Sequence, residues 1–194
     1  MTNIEQLWLA TLQEVASRAA HEVRDALNGV SLNLEVVRSR ISRPDTRADS
    51  LGPFVSAAVQ QLEILGSRAE ALVYLSRTPK NGRSDTALVL RHLATLLVPA
   101  AKADQIALSV SGHDRPAETA VQELAVRTAL ASGLLALIKE GGGECRLEGQ
   151  PDAVVRFSHE SAEVGLDKDV LAVLAKQGVR TKNTDSGLTL TFPV

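Results

Sequence analysis

The apolar residues Val15, Ala19, Val23, Ala26, Val30, Leu34, Val37 and Ile41 recur at intervals of 4-4-3-4-4-3-4, with no proline among them. Only an α-helix carries residues three and four apart onto one face, so the spacing predicts one long helix over 4–41 with a coiled-coil-like seam. The pattern stops at SRPDTRADSLGP (42–53), where two prolines, a glycine and several Asp and Ser residues turn the chain. A second helix is predicted over 54–77, with Val55, Val59, Leu62, Leu65, Ala69, Leu72 and Leu75 on its inner stripe. Two long helices on a short loop make an antiparallel hairpin. A lone hairpin buries too little surface to be stable, which predicts a homodimeric four-helix bundle.

After TPKNGRSD (78–85), a linker with a proline, a glycine and charges, the pattern changes. Ser84 or Asp85 is placed to cap a helix running to about Asp104, and QIALSVSG (105–112) reads as a strand. HDRPAE (113–118) reads as a loop, and 119–140 as a strongly apolar helix closed by GGG (141–143). Two strands, 144–149 and 153–159, flank a QPD turn; a shorter helix (167–178) and a final strand (186–194) follow. The fold class expected is therefore α+β, with a helical hairpin over 1–79 and an α/β sandwich over 84–194.

Composition removes several functions. The net charge of −2 offers no basic excess to displace counterions from a nucleic acid. A single cysteine, Cys145, excludes an internal disulfide framework and fits a reducing cytoplasm. Aromatics are only 3%, so the core must be built from Ala, Leu and Val at close helix spacing. The first 18 residues carry acidic groups inside their apolar pattern, and no later run of about 18 apolar residues appears, so neither a signal peptide nor a membrane span is expected.

At about 100° of rotation per residue, the seam fills a sector of roughly 100°, and His21 falls nearly opposite it. Glu14, Ser17, Asp25 and Asn28 share that outer face, with Arg24 at its flank. Leu32 and Val36 point outward two to four turns later, an apolar patch beside a polar centre, as a docking surface would have. The remaining histidines offer less. His92 edges an apolar helix stripe, while His113 and His159 have no metal-ligand spacing around them. Ser17 and Ser31 have no base in a triad arrangement, and Cys145 reads as a small core or edge residue.

HEVRDALNGVSLNLEVV resembles the H-box of sensor histidine kinases, a phosphorylatable histidine on the first helix of a dimeric bundle. His21 takes the phosphoacceptor position and Glu22 the acidic position that polarises it; Arg24 and Leu27 also match. Asp25 stands where Asn or Thr is usual and Ala26 where Pro is usual. The order of elements after residue 84 resembles the kinase ATP-binding domain, but its chemistry is missing. Ala136 stands where that family has a magnesium-binding Asn, with Ser132 a turn earlier. His159, Ser161 and Glu163 stand where an Asp-x-Gly-x-Gly loop would recognise adenine, and Gly187 is a lone glycine where a glycine-rich lid belongs. Without these groups, magnesium and a triphosphate cannot be held.

The resemblance thus implies a histidine phosphotransfer protein, kinase-like in build with a degenerate ATPase-like domain. It would shuttle a phosphoryl group between receiver-domain aspartates through His21, with Glu22, Arg24 and Asp25 in the reacting set. Ser17, Asn28, Leu32 and Val36 would meet the receiver. No cofactor of its own is expected, since the receiver supplies magnesium. The alternative is a non-catalytic, kinase-like adaptor or inhibitor in which His21 is vestigial.

Overall fold

The computed structural model describes residues 3–45, 47–79, 82–141, 143–160, 163–184 and 187–194. Helix α1, Ile4–Ile41, starts at a capping box in which the Asn3 side chain accepts from the Gln6 amide and the Gln6 side chain from the Asn3 amide. Arg38 and Arg40 in its last turn oppose the negative end of the helix dipole. Thirty-eight residues at 1.5 Å each make a rod about 57 Å long. A 3₁₀ turn, Ala48–Leu51, leads into α2, Gly52–Ser76, which has a proline in its first turn. The two helices form the expected antiparallel hairpin.

The second half opens with β1, Ser84–Asp85, and α3, Thr86–Ala103. The Asp85 carboxylate caps α3 by accepting from the amides of Ala87 and Leu88, and it also accepts from Ala117. Then follow β2 (Ala107–Ser111), β3 (Glu118–Thr119), α4 (Glu123–Glu140), β4 (Glu144–Gly149) and β5 (Val154–His159). Helix α5 (Lys168–Lys176) and the hairpin β6 (Arg180–Thr184) and β7 (Gly187–Thr191) complete the chain. The five-stranded sheet runs β2-β4-β5-β7-β6, parallel between β2 and β4 and antiparallel elsewhere. The fold is α+β: helical at its N-terminus, then a mixed sheet with helices.

Helix α4 is buried on nearly every side, between the sheet on one side and α1 and α3 on the other. That placement explains its near-continuous apolar sequence. It approaches the sheet so closely that a Cβ on Gly133 would lie 2.6 Å from the Phe157 ring. One core runs through both halves of the chain: Trp8, Val15 and Ala19 of α1 and Ala71 and Leu75 of α2 join the buried side chains of α3, α4 and the sheet. The opposite face of the sheet stands open and polar, presenting Ser109, Arg146, Glu148 and Arg156.

Several expectations are corrected. Residues 119–122 are not helical, because Thr119 pairs with Ser84 in a short ladder and its hydroxyl donates to the Pro193 carbonyl. β6, an edge strand with every residue exposed, was absent from the sequence reading. The α2 stripe also divides: Val55, Val59, Leu62 and Ala69 are exposed, and the buried contacts are Ala58, Arg68, Ala71 and Leu75. At the end of the α1 seam, Leu34 and Ile41 stand open as well. Helix α3 is long and apolar enough to cross a membrane by length and composition alone, and half of it is buried inside the fold.

Candidate functional site

His21 lies on the outer surface of α1, with its side chain 66% exposed. Its Nε2 is 3.5 Å from Asp25 Oδ2, one turn on. Ser17, Arg24 and Asn28 are exposed on the same side, and Leu32, at 68% exposure, is an open apolar side chain beyond them. Val36 departs from expectation: it is half-buried, because its position on the helix turns it toward the edge facing α2.

Glu22 departs further. Its place on the helix turns it toward α2, where Arg68 Nη1 donates to the Glu22 carbonyl at 2.7 Å and Arg68 Nη2 sits 3.5 Å from the carboxylate. Both side chains are largely buried, at 11% and 15% exposure, so the pair ties the two helices at the level of His21. The carboxylate at the imidazole is therefore that of Asp25, and Glu22 holds the hairpin together beside it. Arg24 makes no ion pair with any described residue.

Arg18, which the sequence reading did not single out, closes the other side of His21. Its Nη1 donates to Asp104 Oδ2 at 3.2 Å, and its Nη2 is 3.6 Å from Glu14. Asp104 ends α3, so this ion pair joins the hairpin to the α/β half. Arg18, His21 and Glu22 line a crevice of about 130 Å³ closed by Ala100, Ala103 and Asp104.

A second polar cluster sits where α2 meets α3 and α4. Arg127 is fully buried; it donates to Glu123 at 2.7 Å and to the carbonyls of Leu75 and Arg77 at 3.0 and 2.8 Å. Arg77 lies 3.4 Å from the same carboxylate. Tyr74 stacks on His92 at 4.1 Å, with the Arg77 and Arg127 guanidinium groups over its ring at 4.3 and 4.9 Å. Burial first, and then the Glu123 carboxylate, push the Tyr74 hydroxyl up to about 12. Burial, with Arg91, Arg77 and Arg127 nearby, lowers the pKa of His92. Sequence reading placed His92 at a stripe edge but missed this cluster, whose one signal was Glu123 and Arg127 four apart inside an apolar helix.

In the α/β half, Ser132 and Ala136 face a cleft of about 300 Å³ between α4 and α5, and Leu7, Thr11 and Glu14 of α1 close over it. His159 is buried at the end of β5, Glu163 is exposed, and Ser161 lies outside the described residues. Among the described residues no group of three His, Cys, Asp or Glu side chains is placed to hold a metal ion.

No protein-family model and no curated protein sequence matches the chain. Among solved structures it is similar to a histidine kinase. That protein is AdeS of Acinetobacter baumannii, at 14% identity and a TM-score of 0.39, covering 89% of this chain and 97% of the solved AdeS chain. It is also similar to the histidine kinase ThkA, solved in complex with the response regulator protein TrrA. There the identity is 15% and the TM-score 0.37, covering 95% of this chain and 61% of ThkA.

Proposed function

We propose that the protein is a cytoplasmic histidine phosphotransfer protein, carrying a phosphoryl group between receiver-domain aspartates on His21 without binding ATP. One observation carries the reading: within an H-box-like sequence, the histidine stands open on the surface of α1 with a carboxylate near its ring. An exposed imidazole with one nitrogen occupied by Asp25 is arranged as a nucleophile. The other nitrogen's lone pair attacks the phosphorus of a receiver's aspartyl phosphate in line. The N–P bond forms as the P–O bond to the aspartate breaks, and the aspartate leaves with the electron pair as a carboxylate. Asp25 holds the proton and balances the charge developing on the ring. The reverse sequence delivers the group to a second receiver. Magnesium at the transferring oxygens would come with the receiver. Ser17, Asn28 and Leu32 flank His21 as the docking surface, and Arg24 is free to meet the partner's acidic side chains.

The reading is supported by what fills the cleft on α4. Ala136 stands in that cleft where the resembled family has its magnesium-binding Asn, and Leu7, Thr11 and Glu14 of α1 close over it. We further propose a homodimer. Val55, Val59, Leu62, Gly66, Ala69 and Val73 of α2 are all exposed at intervals of 4-3-4-3-4, and Leu27, Leu34 and Ile41 of α1 are exposed at intervals of seven. Such spacing is that of knobs that need a facing helix, and a second copy supplies the same pattern.

The test uses wild type and His21→Gln, each incubated with a panel of phosphorylated receiver domains and magnesium. Wild type is expected to acquire an acid-labile label and His21→Gln none. A wild type that stays unlabelled across the panel, or a labelled variant, refutes phosphotransfer at His21.

A further inference from the structure

We propose that Arg18 is the phosphoryl-binding partner of His21, and that Asp104 holds it in place until the phosphoryl group arrives. The inference rests on the reading of His21 as phosphoacceptor and assigns a second residue to that site. Arg18 lies one helical turn before His21, which makes the two side chains neighbours on the α1 surface. They line the same crevice, closed across by the last turn of α3. The guanidinium is underused there. Its Nη1 donates to Asp104, its Nη2 lies 3.6 Å from Glu14, and its buried Nε has no hydrogen-bond partner. An arginine carries five N–H donors, so most of its capacity is unspent.

Asp104 and Glu14 are poor competitors for it. Their side chains are 57% and 53% exposed, and water serves an exposed carboxylate almost as well as a cation does. A phosphoryl group on the ring brings nearly two negative charges and three acceptor oxygens, and planar bidentate pairing with arginine is the stronger interaction. The other groups around the crevice do not take its place. Glu22 is held by Arg68 and Asp25 faces the imidazole, both negative. The arriving charge therefore repels Asp104 and draws Arg18 to itself. The ion pair between α1 and α3 opens, and phosphorylation is felt at the end of α3.

The experiment phosphorylates His21 directly with phosphoramidate, which needs no receiver, and follows the phosphohistidine by ³¹P NMR, assigned with His21→Gln. Arg18→Gln and Asp104→Asn both abolish the same ion pair, yet they should act in opposite directions. Asp104→Asn releases the arginine and lowers the midpoint of the phosphoryl titration; Arg18→Gln raises it. Each step should correspond to about a twofold to fivefold change in proton affinity. Arg18→Lys, a point charge without the fork, should fall between wild type and Arg18→Gln. A purely structural tie would move Arg18→Gln and Asp104→Asn the same way, and that result, or no movement in either, overturns the inference. Label from phosphoramidate but from no receiver refutes the phosphotransfer reading and leaves this test standing. No label from phosphoramidate overturns both.

Discussion

Replacing Arg127 by methionine removes the cation at the junction of the hairpin and the α/β half while keeping the volume of its stem. The variant leaves the Glu123 carboxylate, 6% exposed, with Arg77 at 3.4 Å as its remaining cation among the ion pairs there. It also strips the Leu75 and Arg77 carbonyls of their shared donor. Removing one partner of a buried pair costs about 3–5 kcal/mol, because the other charge stays behind. The lost guanidinium over Tyr74, in a desolvated setting, adds about 1–2 kcal/mol. Against a typical total stability of about 5–15 kcal/mol, that loss is large. Urea unfolding checks it: at a slope near 2 kcal/mol per molar, the midpoint should fall by about 2–3.5 M with an unchanged slope. Glu123→Leu with Arg127→Met removes the buried carboxylate as well, leaves Arg77, whose side chain is 37% exposed, to turn to water, and leaves the Leu75 and Arg77 carbonyls without Arg127, at about 1–3 kcal/mol each if water does not reach them. The double variant should therefore be the more stable of the two. A loss below about 1 kcal/mol in Arg127→Met, or a double variant weaker than the single, refutes the argument.

Gly133→Ala should cost about 1–3 kcal/mol in the same urea measurement, since its Cβ would press to 2.6 Å against a buried Phe157 ring. His92 has a folded pKa below its ordinary one, so its contribution to stability is complete above about pH 6.5 and is lost as pH falls through the lowered value. Thermal melts at pH 7.5 and 5.5 should show a drop that His92→Gln reduces. Asp85→Ala should cost about 1–2 kcal/mol by losing the α3 cap. Leu34→Glu with Leu62→Glu, both at exposed positions, should give a folded monomer by light scattering where the proposed interface makes wild type a dimer. A dimeric variant would refute the proposed face.

The sequence showed the helices of the hairpin and most of the sheet because their signal is periodic. It showed less well which partner each apolar residue meets. Val15, Ala19, Ala26 and Val30 are buried inside the chain, but Leu34 and Ile41 of the same seam are exposed. Two stripes less than 100° apart on one helix merge into one when only spacing is read. In α2 the real contact is made by Ala58 and Ala71 with the buried Arg68, residues whose size or charge hides them in a hydrophobic pattern. β6 is RTKNT, paired through its backbone with every side chain exposed, so it offers no alternation to detect. At the site, His21 and Asp25 were legible as neighbours on one helix. The pairing of Glu22 with Arg68 and of Arg18 with Asp104 joins residues 46 and 86 positions apart, beyond the reach of any local pattern.

The three faces of α1 can be given separate tasks because a helix spreads its side chains around a full turn. Taking Ala19 as zero and 100° per residue, Val15, Ala26 and Val30 lie within about 40° of it, on the side packed inside the chain. Leu27, Leu34 and Ile41 lie at about 40–80°, on the edge proposed for a second copy. His21 lies at about 200°, roughly 120° or more from that edge, so a partner helix of about 10 Å diameter on the stripe leaves the imidazole uncovered. The stripe proposed for a second copy and the face proposed for a receiver therefore do not compete for surface on this helix. Arg18, at about 260°, lies between the open face and the core, where its side chain meets Asp104 of α3 and lines the crevice it shares with His21.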